Sequence, residues 1–102
     1  MAEVILLSGG ENDLITHYVA LHEFNPFVAD KFSSAIDAVF EELESFPQSG
    51  SIYAKTVRRK LVPGFYQYGI FYTIAQQRVM IHAILHLQQN PDLIRNRISF
   101  LL

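Results

Sequence analysis

The chain alternates between two hydrophobic periods. Ala2–Leu7 is a short apolar run closed by Ser8-Gly9-Gly10, which predicts a buried strand. Ser8 followed three residues later by Glu11 fits a capping box, so a helix is expected to start there, with its first turn weakened by the two glycines. Leu14, Tyr18 and Leu21 recur at helical spacing, and Ile15, Val19 and His22 form a parallel row. Together the rows read as one apolar stripe. Asn25-Pro26 restarts the helical pattern, because Asn caps well and Pro suits the first helical position. Val28, Phe32, Ile36, Val39, Leu43 and Phe46 then mark the inner face of a long helix, widened by Ala35 and Phe40 and ended by Pro47.

The second half switches to strand periodicity. Tyr53–Val62 reads as one strand with a basic center, and Pro63-Gly64 as a turn. Phe65–Ile74 reads as an aromatic strand, Ala75-Gln76-Gln77 as a turn, and Arg78–Leu87 as a further strand. The short connections argue for an antiparallel meander. Asn90-Pro91 opens a short helix through Arg97, and the pattern leaves the state of the apolar end, Ile98–Leu102, open. The order is β-α-α-β-β-β-α: an α+β fold in which a helical hairpin packs on one face of a mostly antiparallel, twisted sheet. One domain spanning residues 1–102 is expected.

The meander carries more apolar surface than one hairpin covers. Tyr66, Tyr68, Ile70, Tyr72 and Ile74 share one pleat face of their strand, with Phe65, Gln67, Gly69, Phe71 and Thr73 on the other. The next strand sets Val79, Ile81, Ala83 and Leu85 against Met80, His82, Ile84 and His86. A sheet with one wet face alternates apolar and polar, and these strands do not. The second face therefore needs a cover: the chain's own tail, a second copy, or another protein.

Charge adds a polarity to this plan. The net charge is only −2. Residues 1–54 nevertheless hold nine acids and the single base Lys31, while residues 55–102 hold seven bases and the single acid Asp92. Such segregation points to one surface suited to an anionic partner. The absence of cysteine removes disulfides, thiol chemistry and Cys-based zinc sites. His82 and His86 lie about 13 Å apart along a strand, too far to share a metal, and His17 and His22 lack ligand spacing, so neither metal nor cofactor is expected. No run reaches the ~18 apolar residues of a membrane span, and the first residues do not resemble a signal peptide. A cytoplasmic location is the expectation.

The ordered pieces resemble the RelE/ParE toxin superfamily, which includes plasmid stabilization toxins. The residues that carry the resemblance are Asp13-Leu14-Ile15, Asn25-Pro26, Leu43-Glu44-Ser45-Phe46-Pro47 with Gly50, Val57-Arg58-Arg59, Val62 through Tyr72, Val79 through His86, and Asn90-Pro91. The resemblance implies a toxin of a type II toxin–antitoxin pair, neutralized by a partly disordered cognate antitoxin that folds onto it. Tyr66, Tyr68, Ile70, Met80, His82 and Ile84 are the expected antitoxin contacts, and a homodimer is possible when the antitoxin is absent. The nuclease branch of the superfamily cuts mRNA on the ribosome. It places an arginine on the central strand where this chain has Gly69, and often two arginines after the histidine where this chain has Gln88 and Gln89. A nuclease here would fall back on Arg78, Tyr72 and His86. Ala83-Ile84-Leu85-His86 and the tail look more like the ParE branch, which acts by binding DNA gyrase rather than as an enzyme. On that reading Arg58, Arg59, Lys60, Arg95 and Arg97 meet the target. A third reading is a non-toxic relative that acts as a binding module.

Overall fold

A computed structural model describes all 102 residues. The elements are β1 (Glu3–Leu6), α1 (Ser8–Phe24), α2 (Pro26–Ser45), β2 (Ser51–Ala54), β3 (Val57–Val62), β4 (Phe65–Ala75), β5 (Arg78–His86) and α3 (Pro91–Ile98), followed by a 3₁₀ turn at Ser99–Leu101. One five-stranded sheet has the order β1-β5-β4-β3-β2. All pairings are antiparallel except β1 with β5, which is parallel. The α+β order expected from the pattern therefore holds, with one strand added. The stretch read as a single strand folds back at Lys55-Thr56, so that Ser51 faces Arg59 and Ala54 faces Val57. Lys55 takes a left-handed φ of 51° to make that tight hairpin, although no Gly, Asn or Pro announces it.

The helix starts follow local chemistry with one exception. Asn25 accepts from the Phe27 N–H at 2.9 Å and Asn90 from the Asp92 N–H at 2.8 Å, each ahead of a proline. The capping box at Ser8 does not form. The helix begins at Ser8 itself with Leu7 as a cap that makes no side-chain bond. The glycines there serve packing instead. A Cβ at Gly9 would come 3.0 Å from the His82 carbonyl oxygen, and one at Gly10 would come 3.0 Å from that of Ile81. Glycine lets the first turn of α1 lie directly on β5.

The hairpin covers one sheet face through Phe32, Ile36, Val39 and Leu43 of α2, against Val62, Tyr68, Ile70, Tyr72, Val79, Ile81 and Ile84. Of the two rows on α1 only Leu14 and Leu21 pack against the core, while Tyr18 donates to Asp30 of α2 at the surface. Ile15 and Val19 are 53% and 49% exposed. The rows are about 100° apart on a helix, so they cannot both face the sheet. Phe46, expected inside, is 66% exposed because α2 stops at Ser45 and the chain turns away before the ring can reach the core.

The second face is sealed by the chain itself. Ile94 and Ile98 of α3 are buried against Val57, Phe71, Ala83 and Leu85, with Tyr53, Leu87, Leu101 and Leu102 at the margin. Of the three covers considered for this face, the tail is the one present. A β-bulge sets which residues it meets. Phe71 pairs with Ala83 and Tyr72 with Ile81, so His82 is the extra residue and the pleat of β5 inverts there. Val79, Ile81 and Ile84 end up under the hairpin, while Ala83 and Leu85 face the tail. This inversion is why β5 shows no clean alternation. No helix is long and apolar enough to cross a membrane.

Candidate functional site

β1 pairs with β5 only as far as Ile81. Beyond that point the edge of β5 would expose main-chain groups, and side chains stand in for the missing strand. Asp13 and His17, one turn apart on α1, both reach Ile84. The Ile84 N–H donates to Asp13 Oδ2 at 3.0 Å, and His17 Nε2 donates to the Ile84 carbonyl at 2.6 Å. Gln89 Nε2 donates to the His86 carbonyl at 3.0 Å. Arg97 of α3 adds a 2.9 Å bond to the same Asp13 oxygen. These groups, with Thr16, Leu85, Leu93 and Asn96, line a cleft of about 490 Å³ between α1 and α3. Sequence reasoning missed this site. The available signal was Asp13 and His17 at four-residue spacing, beside the inward row of α1.

The residues named for nuclease chemistry are not brought together. Arg78 pairs with Ala75 at one end of β5, while His86 pairs with Tyr68 at the other, about 26 Å along the strand. The Tyr72 hydroxyl is committed inside the protein, donating to the Pro47 carbonyl at 2.7 Å and accepting from the Gly50 N–H at 3.0 Å. Burial pushes its pKa up, against smaller opposing effects of the Gly50 N–H and the Arg58 charge. Burial likewise raises Tyr68, whose ring lies between His17 and His86 with centroids 4.9 and 5.0 Å away. A Cβ at position 69 would sit 3.0 Å from the tip of Leu87 and 3.3 Å from the stem of Arg59, so a longer side chain there would have to push both flexible side chains aside.

The five basic residues named for a target fall into two groups. Arg58 donates to the Gln48 and Gly50 carbonyls, Lys60 pairs with Glu42 at 2.6 Å, and Arg97 is held by Asp13. Arg59 and Arg95 make no hydrogen bond or ion pair within the chain. Arg59 leaves β3 on the tail side, while Arg58 and Lys60 reach the loop after α2 and α2 itself. The six residues expected to face one partner likewise divide. Tyr68, Ile70 and Ile84 are core residues beneath the hairpin, so they offer a partner nothing unless the hairpin lifts. Met80 and His82 are half-buried toward the tail, where His82 bonds Thr73 at 2.8 Å and meets the edge of Phe100. Only Tyr66 is open, at 65% exposure. The apolar side chains that do face solvent lie mainly elsewhere: Ile15 and Val19 on the outside of α1, and Phe24 and Phe27 at the hairpin tip.

No three His, Asp or Glu side chains converge as a metal site would require. Among protein families, the one described as ParE toxin of type II toxin-antitoxin system, parDE, matches residues 5–91. The match runs from β1 to the first residue of α3, so Arg95 and Arg97 lie beyond it. No curated protein matches the chain.

Proposed function

This chain belongs to the ParE toxin family of type II toxin–antitoxin systems, and from that premise we propose that it arrests growth by binding DNA gyrase and is neutralized by a cognate antitoxin. The observation that carries the choice of target is the state of the central strand. Gly69 is roofed by Leu87 and the Arg59 stem, and Arg78, Tyr72 and His86 are scattered. RNA cleavage needs a base, an acid and a cation around one phosphate, and this sheet assembles no such trio. A binding toxin needs only a surface. Arg59 and Arg95, of the five named basic residues, are the two with no bond inside the chain, and such cations suit a target that works on DNA.

The antitoxin reading rests on family membership and on the apolar side chains left outside. It places the antitoxin over Tyr66 and the outer side of the hairpin, at Ile15 and Val19, rather than on the sealed sheet face. An amphipathic segment that orders on contact suits such exposed apolar side chains.

Induced expression tests the target. Gyrase binding predicts growth arrest with an SOS response and loss of supercoiling by purified gyrase. Arg59→Glu with Arg95→Glu removes both effects and leaves the circular dichroism spectrum unchanged. Arrest accompanied by cleaved messages, without any effect on gyrase, rejects the proposal in favor of the nuclease reading.

A further inference from the structure

The cleft between α1 and α3 holds a carboxylate that is fixed by one partner and loosely satisfied by another. Asp13 is fixed by the Ile84 N–H, and its side chain is only 13% exposed. Its cation, Arg97, is 44% exposed and stands on the tail helix. Only the Arg97 end of the pair is open to solvent, so water can take its place there while Asp13 stays fixed. The second Asp13 oxygen makes no bond within the chain. Gln89 donates one amide hydrogen to the His86 carbonyl, and its side-chain oxygen makes no bond within the chain; Gln89 and Thr16 both line the cleft. The unfilled positions thus include acceptors on Asp13 and Gln89, alongside the Thr16 hydroxyl and the Asn96 amide, which can donate as well as accept. Every formally charged residue of α1 is an acid: Glu11, Asp13 and Glu23. Within the cleft lining Asp13 is the one acid and Arg97 the one formally charged base, so the site is balanced while Arg97 stays and anionic once it leaves. Leu93, exposed at the rim, offers an apolar flank to the stem of a long side chain.

We propose that this cleft is a socket for an arginine side chain of a partner polypeptide, which displaces Arg97 from Asp13. A planar guanidinium presents five donors and pairs with a carboxylate through two parallel bonds, whereas a lysine brings only a point charge. Arg97 then acts as a built-in occupant that swings into solvent when the partner arrives. Charge complementarity and the Leu93 flank select a peptide arginine over a free amino acid, whose own carboxylate would meet the acidic helix. The inference does not depend on gyrase being the target.

Amide NMR of the full chain tests it, with the Ile84 and Gln89 signals as reporters and acetyl-leucyl-arginine amide as the probe. Saturable shifts at both signals are expected. Arg97→Ala, which removes the competitor, should tighten binding about three- to fivefold. Asp13→Asn keeps an oxygen for the Ile84 N–H but loses the charge, and should abolish saturation. Should that variant fail to fold, the Arg97→Ala comparison still decides. The proposal is overturned if the probe gives no saturable shift with Arg97→Ala, if the lysine analog binds equally well, or if binding survives in Asp13→Asn. Equal binding of free arginine overturns the assignment to a polypeptide.

Discussion

The two faces of the sheet are closed by different means. Under the hairpin, two helices of 17 and 20 residues, one of them started by a capped Asn25-Pro26, bury eleven residues in one cluster. On the opposite face an eight-residue helix and a 3₁₀ turn bury six. Beyond Ile94 and Ile98, that cover is held by the Arg97–Asp13 pair and by a bond from Lys55 to the Leu102 carbonyl. The first face is part of the folding unit, since the strands cannot remain dry without it. The second face is closed by a short segment with few attachments, as expected of a region that opens below the global unfolding energy. Removing buried atoms from one face or the other separates these roles.

The largest effect is expected at Phe32→Ala. The ring is fully buried and meets Phe65 and Tyr68 edge-on at 5.3 and 4.9 Å. Its loss should cost about 4 kcal/mol and lower the denaturation midpoint of the whole molecule, read by any probe. Ile98→Ala on the tail side should cost less, about 2 kcal/mol, because α3 can detach rather than leave a cavity. Hydrogen exchange should then speed up in residues 91–102 while amides of β4 and β5 keep most of their protection. If Ile98→Ala unfolds the protein as globally as Phe32→Ala does, the two faces are one cooperative unit and the contrast fails.

The same contrast separates what the sequence made legible from what it did not. The hairpin face was readable because helical spacing, Asn-Pro caps and Pro47 are local signals, and they place Phe32, Ile36, Val39 and Leu43 inward without reference to the rest of the chain. The other face depends on pairings between distant residues. The bulge at His82 inverts the pleat of β5, and nothing in Val79–Leu85 marks it. The Lys55-Thr56 turn lacks glycine, and Gln76 and Gln77 take φ of 52° and 65° without glycine as well, so tertiary pairing overrides turn preference. The Asp13–Ile84–Arg97 junction joins residues more than seventy positions apart. The candidate cations were legible as a charge block. That Arg58, Lys60 and Arg97 are already occupied while Arg59 and Arg95 are free follows only from the register and from the faces of α3.

The smallest effect sharpens the comparison through pH. His82 is the bulge residue on the tail side, bonded to Thr73 and touching the ring of Phe100. Burial disfavors its charged form and lowers its pKa below the ordinary 6.5. A histidine whose folded pKa is depressed contributes stability that is fully present above its unfolded value of 6.5. That contribution is lost as pH falls through the lower folded value, because the unfolded chain takes up the proton first. Acidification should therefore loosen the tail before it disturbs the hairpin face. The amide signals of Ile94 and Ile98 should titrate with a midpoint below 6.5, and those of Ile36 and Val39 should stay still over that range. His82→Gln keeps a polar partner for Thr73 and removes the titration, so it should hold the tail signals constant. If the tail titrates unchanged in His82→Gln, its attachment responds to another group, and His82 is a packing residue of the bulge without control over the cover above it.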